Sequence, residues 1–239
     1  MKDKVVIITG GSRGIGAATA ALLAADGARV AIASRTAKDL EATARAIAAR
    51  TGAERVLAVP TDLADERAVV GLFEAVHSRF GDLDVLVNNA GVFTGGDFAD
   101  LETEAWDRVQ AVNVRGAFLA SREAFRRFRA LGHGGAIVNV SSLGGVHGTE
   151  KFAGFTAYTV SKFGVVGLTE SLAVEGRPLD IRVNCVAPGA VDTAMKAQAA
   201  PFLRTRTTPD DVARVIRFLC DAEESGALTG AVLEIHSNL

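Results

Sequence analysis

Tyrosine, cysteine and concentrated charge are all scarce in this chain. Its 239 residues include two cysteines, Cys185 and Cys220, both in apolar stretches. Two such thiols make no disulfide framework, so they are expected to be buried and free, as in a reducing compartment. No apolar run nears the roughly 18 residues that a membrane span requires. The chain opens Met1-Lys2-Asp3-Lys4 and passes straight into an apolar run over residues 5–8, with no charged-then-apolar leader. The expectation is a cytoplasmic protein without a membrane partner. Net charge is −2 and both signs are dispersed. Nucleic acid needs a concentrated basic surface, so it is set aside as a partner. The one basic cluster, Arg122, Arg126, Arg127 and Arg129, has helical spacing and reads as a solvated helix face. His77, His133, His147 and His236 are scattered without the pairing of a zinc site, and no metal is expected. Nor does a glycine-serine-glycine elbow support a hydrolase.

What the sequence does have is alternation. Apolar residues make up 49% of it, enough for a substantial core. Short apolar runs at 5–9, 29–33, 56–59, 85–87, 136–140, 181–186 and 231–235 read as strands. Helical patterns occupy 17–25, 38–50, 66–80, 104–129, 156–175 and 209–220. Strands that are apolar throughout and separated by helices imply a parallel sheet covered on both faces. Right-handed crossovers then give a doubly wound α/β fold with seven parallel strands. No linker or repeat divides the chain, so one domain spans 1–239; residues 190–208 carry the fewest structural cues.

Polar residues gather where strands end. The turn after the first strand reads Gly10-Gly11-Ser12-Arg13-Gly14-Ile15-Gly16, a Gly-x-x-x-Gly-x-Gly spacing. Glycines there let the backbone approach a pyrophosphate lying at a helix N-terminus. At the end of the second strand, where an acid would hold a ribose hydroxyl, stand Ser34 and Arg35. No carboxylate is available at that position, and arginine suits a 2′-phosphate by charge and fork geometry. With Arg13 closing from the glycine turn, the expected cofactor is NADP(H) in preference to NAD(H). Asn88, Asn89, Ala90 and Gly91 end the fourth strand, Ser141 and Ser142 the fifth, and Pro188 and Gly189 the sixth, with Thr193 just beyond. All fall on the carboxyl edge of a doubly wound sheet, where ligands bind. Asn113 is a lone amide in an apolar helical run, where it either bonds to backbone at a kink or has a function.

Tyr158 is the only tyrosine beside twelve phenylalanines, and Lys162 lies one helical turn after it. A phenol with a pKa near 10 is a poor acid or base at neutral pH. An ammonium one turn away, with a positive oxidised nicotinamide, favours the phenolate and draws that pKa down. A serine hydroxyl beside the phenol would hold a carbonyl or alcohol oxygen in place.

These motifs, in this order, resemble the short-chain dehydrogenase/reductase family from about Lys4 to Ile235: the glycine turn, Asp62, Asn88 to Gly91, Asn113, Ser142, the Tyr158-x-x-x-Lys162 pair, and Pro188-Gly189 with Thr193. The resemblance implies a Rossmann-type fold and an NADP(H)-dependent interconversion of a carbonyl compound and its secondary alcohol. Tyr158 would be the general acid, Lys162 would lower its pKa and bind the nicotinamide ribose, and Ser142 would orient the carbonyl. Asn113 would hold a water in a proton relay to Lys162. Gly10, Ser12, Arg13, Gly14, Ile15 and Gly16 would line the cofactor phosphates and ribose, with Ser34 and Arg35 at the 2′-phosphate. Asp62 and Leu63 would meet the adenine, and Asn89, Ala90 and Gly91 the adjacent ribose. Pro188, Gly189, Val191 and Thr193 would frame the nicotinamide. A homotetramer or homodimer through the helices at 104–129 and 156–175 is also implied.

Two departures bear on specificity and assembly. The interval from Ser142 to Tyr158 is longer than the family pattern, so a loop at 143–156 is expected to line the substrate pocket with residues 190–208. The latter segment has few large apolar residues beyond Met195, Phe202 and Leu203, which points to a small or linear carbonyl compound. The ending Glu234-Ile235-His236-Ser237-Asn238-Leu239 also departs from the family, which bears on the tetramer. Competing expectations are a 3-oxoacyl thioester reductase, with the arginine cluster receiving a carrier protein, and a non-catalytic NADP-binding regulator.

Overall fold

The structure is a computed structural model, and it describes residues 1–237. Asn238 and Leu239, the end of the unusual tail, lie outside the described residues. Seven strands form one parallel sheet: β1 (Val5–Thr9), β2 (Arg29–Ser34), β3 (Val56–Pro60), β4 (Val85–Asn88), β5 (Gly135–Val140), β6 (Ile181–Pro188) and β7 (Val232–Ile235). Their order is β3-β2-β1-β4-β5-β6-β7, so the winding reverses between β1 and β4. That reversal opens a crevice at the strands' carboxyl ends. The doubly wound α/β class read from the sequence is the observed one.

Strands apolar at every position have a physical reason here. Val6, Ile8, Val30 and Ile32 pack on one side with Leu23, Leu40, Ile216 and Leu219. Their neighbours Val5, Ile7, Ala31 and Ala33 pack on the other with Leu72, Phe73, Leu119 and Phe128. Alternate residues face opposite layers, and both layers are helical. The first layer is α1 (Gly14–Ala25), α2 (Ala37–Thr51) and α8 (Pro209–Cys220); the second is α3 (Glu66–Phe80), α5 (Gly116–Leu131) and α6 (Thr156–Gly176). Helix starts follow local chemistry. Thr208 and Asp211 exchange hydrogen bonds in a capping box with Pro209 at the first turn of α8, an arrangement worth about 1 kcal/mol. Cys185 and Cys220 are free and buried, as expected.

Three elements differ from the sequence expectation. The single helix expected over 104–129 is two, α4 (Thr103–Gln110) and α5, joined by a π-helical turn at Ala111–Arg115. Asn113 sits in that turn, and the wider winding frees backbone groups that a regular helix would pair. The cue-poor segment 190–208 contains a short helix, α7 (Ala194–Ala199), capped by the Thr193 side chain, which accepts from the Lys196 amide. A four-residue helix, α9 (Ala222–Ser225), follows α8. Among the described residues no helix is long and apolar enough to cross a membrane.

Candidate active site

The carboxyl edge of the sheet borders one cavity of about 950 Å³. It begins at the glycine turn. Gly10 has φ +68°, and a Cβ there would stand 2.7 Å from the Ala90 Cα, so only glycine fits between β1 and β4. Asn89 fixes the turn: its amide nitrogen donates to the carbonyls of Thr9 (3.0 Å) and Gly10 (3.2 Å). Its side-chain donor is thus spent on protein backbone. Arg13 occupies the N-cap of α1 in an extended conformation and supplies no side-chain cap, which leaves the first-turn amides open to another acceptor.

Gly10, Ser12, Arg13, Gly14 and Ile15 line the cavity, and Gly16 does not. Ser34, Arg35, Asp62 and Leu63 line it from β2 and the turn after β3. Asn89, Ala90 and Gly91 do so from β4, and Pro188, Gly189, Val191 and Thr193 from β6. The Ser34 hydroxyl is buried without a hydrogen-bond partner. Arg13 and Arg35 are exposed, and neither is ion-paired among the described residues. An orphan hydroxyl, two unpaired guanidiniums and an uncapped helix start together suit a phosphorylated ligand. No carboxylate stands at the end of β2, as the sequence shows, but one lies a few residues beyond it. Asp39, in the first turn of α2, lines the cavity with Ser34, Arg35 and Thr36.

At the other end lie Ser142, Tyr158 and Lys162. The Ser141 hydroxyl donates to the Lys162 carbonyl at 2.8 Å and is consumed by that bond. Ser142 instead accepts from the Gly144 amide at 3.2 Å, and its hydroxyl is the one protein group that favours the ionised Tyr158 phenol. Lys162 is 4% exposed; its ammonium donates to the Val140 carbonyl at 2.8 Å and lies 5.5 Å from the centre of the Tyr158 ring. Burial lowers its pKa to about 8, partly offset by Cys185, whose own thiol is pushed up to about 11 by burial. The phenol departs from expectation. Burial raises its pKa above the ordinary value, and only the Ser142 hydrogen bond lowers it. Tyr158 is half-buried at the cavity wall. Among protein groups desolvation outweighs the Ser142 bond.

Asn113 does not line the cavity. Its Oδ1 accepts from the Val92 amide (2.8 Å), and its Nδ2 donates to the Val92 carbonyl (3.0 Å) and the Ser161 hydroxyl (2.9 Å). Ser161 donates on to the Tyr158 carbonyl at 2.7 Å. A Cβ on Gly91 would stand 3.5 Å from Asn113 Oδ1 and 3.6 Å from Lys162 Nζ, so both polar atoms flank that glycine. Deeper in, Asn88 donates to Ser121 and Asn139, and Asn139 to Thr169, each at 2.9 Å. This buried chain ties α5 and α6 to the middle of the sheet. Sequence reasoning missed Ser161, although a serine on the buried side of α6 between Tyr158 and Lys162 was a signal. It also missed Glu234, His236 and Ser237, which line the cavity because parallel β7 delivers its end to the same edge.

A doubly wound parallel sheet, with a glycine-rich first turn and a Ser–Tyr–Lys cluster on one cavity, is the architecture of the α/β dinucleotide-binding proteins. The chain belongs to the short chain dehydrogenase family, whose model matches residues 4–203. It is similar to trans-4-hydroxycyclohexanecarboxylate dehydrogenase of Sinomonas cyclohexanicum, at 38% identity over 98% of this chain and 91% of that protein. The crystal structure of levodione reductase superposes with a TM-score of 0.91 at 32% identity, covering 98% of this chain and 96% of that one. The 3-ketoacyl-(acyl-carrier-protein) reductase from Brucella melitensis, complexed with NADH, gives 0.90 at 33% identity, covering 98% and 97%. These relatives are oxidoreductases of hydroxyl or carbonyl substrates, and the family binds a nicotinamide cofactor.

Proposed function

We propose that this protein is an NADP(H)-dependent enzyme that interconverts a carbonyl compound and its secondary alcohol, with Tyr158 as general acid and base. The observation that carries this is the meeting of Ser142, Tyr158 and Lys162 on the cavity that begins at the glycine turn. When bound, the nicotinamide supplies or accepts the hydride. Ser142 and Tyr158 hold the substrate oxygen between two hydroxyls, and the phenol gives up its proton as negative charge develops there. Lys162, pinned to Val140, presents positive charge beside the phenol and reaches for ribose hydroxyls. Asn113 acts as a positioning residue that links Val92 to α6 through Ser161. Gly10 to Gly16 cradle the phosphates, with Asp62 and Leu63 at the adenine, Asn89 to Gly91 at its ribose, and Pro188 to Thr193 at the nicotinamide. Preference for the 2′-phosphate rests on unpaired Arg13 and Arg35 and the orphan Ser34 hydroxyl; Asp39 opposes it.

The second reading, a 3-oxoacyl thioester reductase, is favoured by the likeness to the Brucella enzyme. The arginine cluster argues against it. Arg122 pairs with Glu66, Arg126 with Glu123, and Arg127 stacks on Phe73, so little of the cluster is free for a carrier protein. We further propose one domain, substrate loops at 143–156 and 190–208, a cytoplasmic location and a homo-oligomer. Exposed Phe118 on α5 and Val160, Phe163 and Val174 on α6 give those helices an apolar face suited to a second copy.

NADPH and NADH consumption over keto esters, acyl thioesters, diketones, sugars and aldehydes tests the function. Turnover on at least one class is expected, with NADPH preferred, and Tyr158→Phe should lower kcat by about 10³ while cofactor affinity holds. Turnover that survives Tyr158→Phe would sink the mechanism. NADPH binding with no carbonyl turned over would point to the non-catalytic regulator.

A further inference from the structure

The substrate end of the cavity has a wall made of rings. Phe93, in the segment after β4, meets the Tyr158 ring edge-on at 5.6 Å between centres. Phe155 meets Phe93 at 4.6 Å and Tyr158 at 6.5 Å. Phe152 continues the row 5.7 Å from Phe155, and Phe202 meets Phe152 from the 190–208 segment at another 5.7 Å. Phe93, Phe152 and Phe155 line the cavity and are half-buried; Phe202 does not line it, is 63% exposed and backs Phe152 from outside. The wall thus starts at the phenol and leads outward. It also crosses between the two segments proposed as substrate loops.

Hydrogen bonds tie the segments of the row together. The Gly96 amide donates to the Gly154 carbonyl at 3.2 Å, which ties the Phe93 segment to the Phe155 segment. A Cβ on Gly95 would come 2.8 Å from the Phe93 ring, so the ring packs directly against that glycine. Upstream, Thr149 bonds to the carbonyls of Leu143 and Val146, and Lys151 to those of Val146 and Thr149. Phe152 follows directly on this clip.

We infer that the pocket selects a ketone or secondary alcohol with an alicyclic or aromatic ring next to the reacting carbon, rather than a linear acyl chain. Any apolar chain gains from apolar area, but an aromatic ring gains extra from tilted and edge-on contacts with other aromatic rings, and an alicyclic ring, already fixed in shape, loses less conformational freedom on binding than a linear chain. Three tilted rings adjoining the phenol offer such contacts where the reacting carbon must sit. A linear chain leaves them unused. This inference rests on the proposed carbonyl–alcohol chemistry and replaces the sequence expectation of a small or linear substrate. That expectation considered only the apolar residues of 190–208, whereas the wall comes from elsewhere.

Acetophenone, cyclohexyl methyl ketone and 2-octanone have equal carbon number and a methyl beside the carbonyl, so their kcat/KM values with NADPH isolate the ring. The ring ketones are expected to be preferred by about tenfold, chiefly through KM. Phe155→Leu should lower that ratio about fivefold, and Phe155→Tyr, which keeps the ring, should preserve it. An equal ratio for wild type and Phe155→Leu overturns the inference and leaves the proposed chemistry standing. Calorimetry of acetophenone on Tyr158→Phe with NADP⁺ bound separates the reverse case. Ring binding there, with no carbonyl turned over by the wild type, overturns the chemistry and supports the wall as a ring site.

Discussion

Lys162 and Lys151 lie on one stretch of chain and are held in opposite ways. Lys162 is buried on α6 and hangs from the sheet: its ammonium bonds to Val140 of β5, its carbonyl receives the Ser141 hydroxyl, and Gly145 packs against its backbone. Lys151 is exposed and bonds only to its own loop, at Val146 and Thr149, with its ammonium over the Phe163 ring. One end of the segment hangs from the core, and the other is held by hydrogen bonds within its loop and by contacts with neighbouring surface segments. A group moving a proton must be placed to a fraction of an ångström, whereas a wall that selects a substrate can change without disturbing the sheet. Substitutions at the anchored end should therefore affect every substrate alike, and those in the loop should discriminate among substrates.

The largest expected effect is at Lys162. Lys162→Met should lower kcat by about 10³ for ring and linear carbonyls together. The same residue sets a pH limb. Burial depresses its pKa to about 8, so it loses charge as pH rises past that value. Burial raises the Tyr158 pKa, so the phenol keeps its proton over the same interval. Carbonyl reduction, which uses both protons, should decline above pH of about 8, and Lys162→Met should abolish that decline. An unchanged limb in the variant would mean that some other group titrates. Stability should move the opposite way. An unfolded lysine titrates near 10.4, so between about 8 and 10.4 the unfolded chain binds more protons at this site, and the residue's contribution to stability rises with pH.

Next is Gly145→Ala. The added Cβ would stand 2.4 Å from the Lys162 carbonyl carbon, against helix backbone that cannot swing aside. A loss of about 3 kcal/mol in urea unfolding is expected, with activity falling for all substrates. Gly148→Ala, in the loop, meets open space but requires φ +80° of an alanine, so it should cost about 1 kcal/mol. Equal losses at the two glycines would break the contrast between anchored and self-tied backbone.

The anchored end was legible in the sequence and the loop was not, for physical reasons. Tyr158 and Lys162 are spaced by one helical turn, and Ser142, Asn89 and Gly189 each follow a strand, so local pattern alone brings them to one edge. The π turn at Ala111–Arg115 was not legible, because the apolar period of Val109, Val112 and Leu119 runs unbroken through it. Asn113 in that turn bonds non-locally to Val92 and Ser161, contacts that a local period does not reveal. The ring wall was hidden because Phe93 and Phe155 lie far apart in sequence on segments without period. Asp39 was hidden because it lies past the strand end, in the first turn of α2, and only the cavity joins it to Ser34. The phenol's upward shift was missed because the ammonium is visible as a spacing, whereas desolvation depends on the whole packed neighbourhood.

Thr149→Val is the smallest and most discriminating change. It keeps the shape of the side chain but removes the hydroxyl that bonds to Leu143 and Val146 and accepts from Lys151. Each lost bond at a partly exposed site is worth about 1 kcal/mol or less, and water replaces part of it. The global unfolding midpoint should therefore barely move, while amide exchange over residues 143–151 accelerates about tenfold. Phe152 and Phe155 follow this clip, so a looser loop should raise KM for ring ketones about threefold, with kcat within twofold. Lys162 keeps its bonds to β5 throughout, so nothing in the proton-handling end is disturbed. If Thr149→Val lowered kcat as much as it raised KM, the two ends of the segment would be one mechanical unit, and the division between anchored chemistry and adaptable wall would have to be given up.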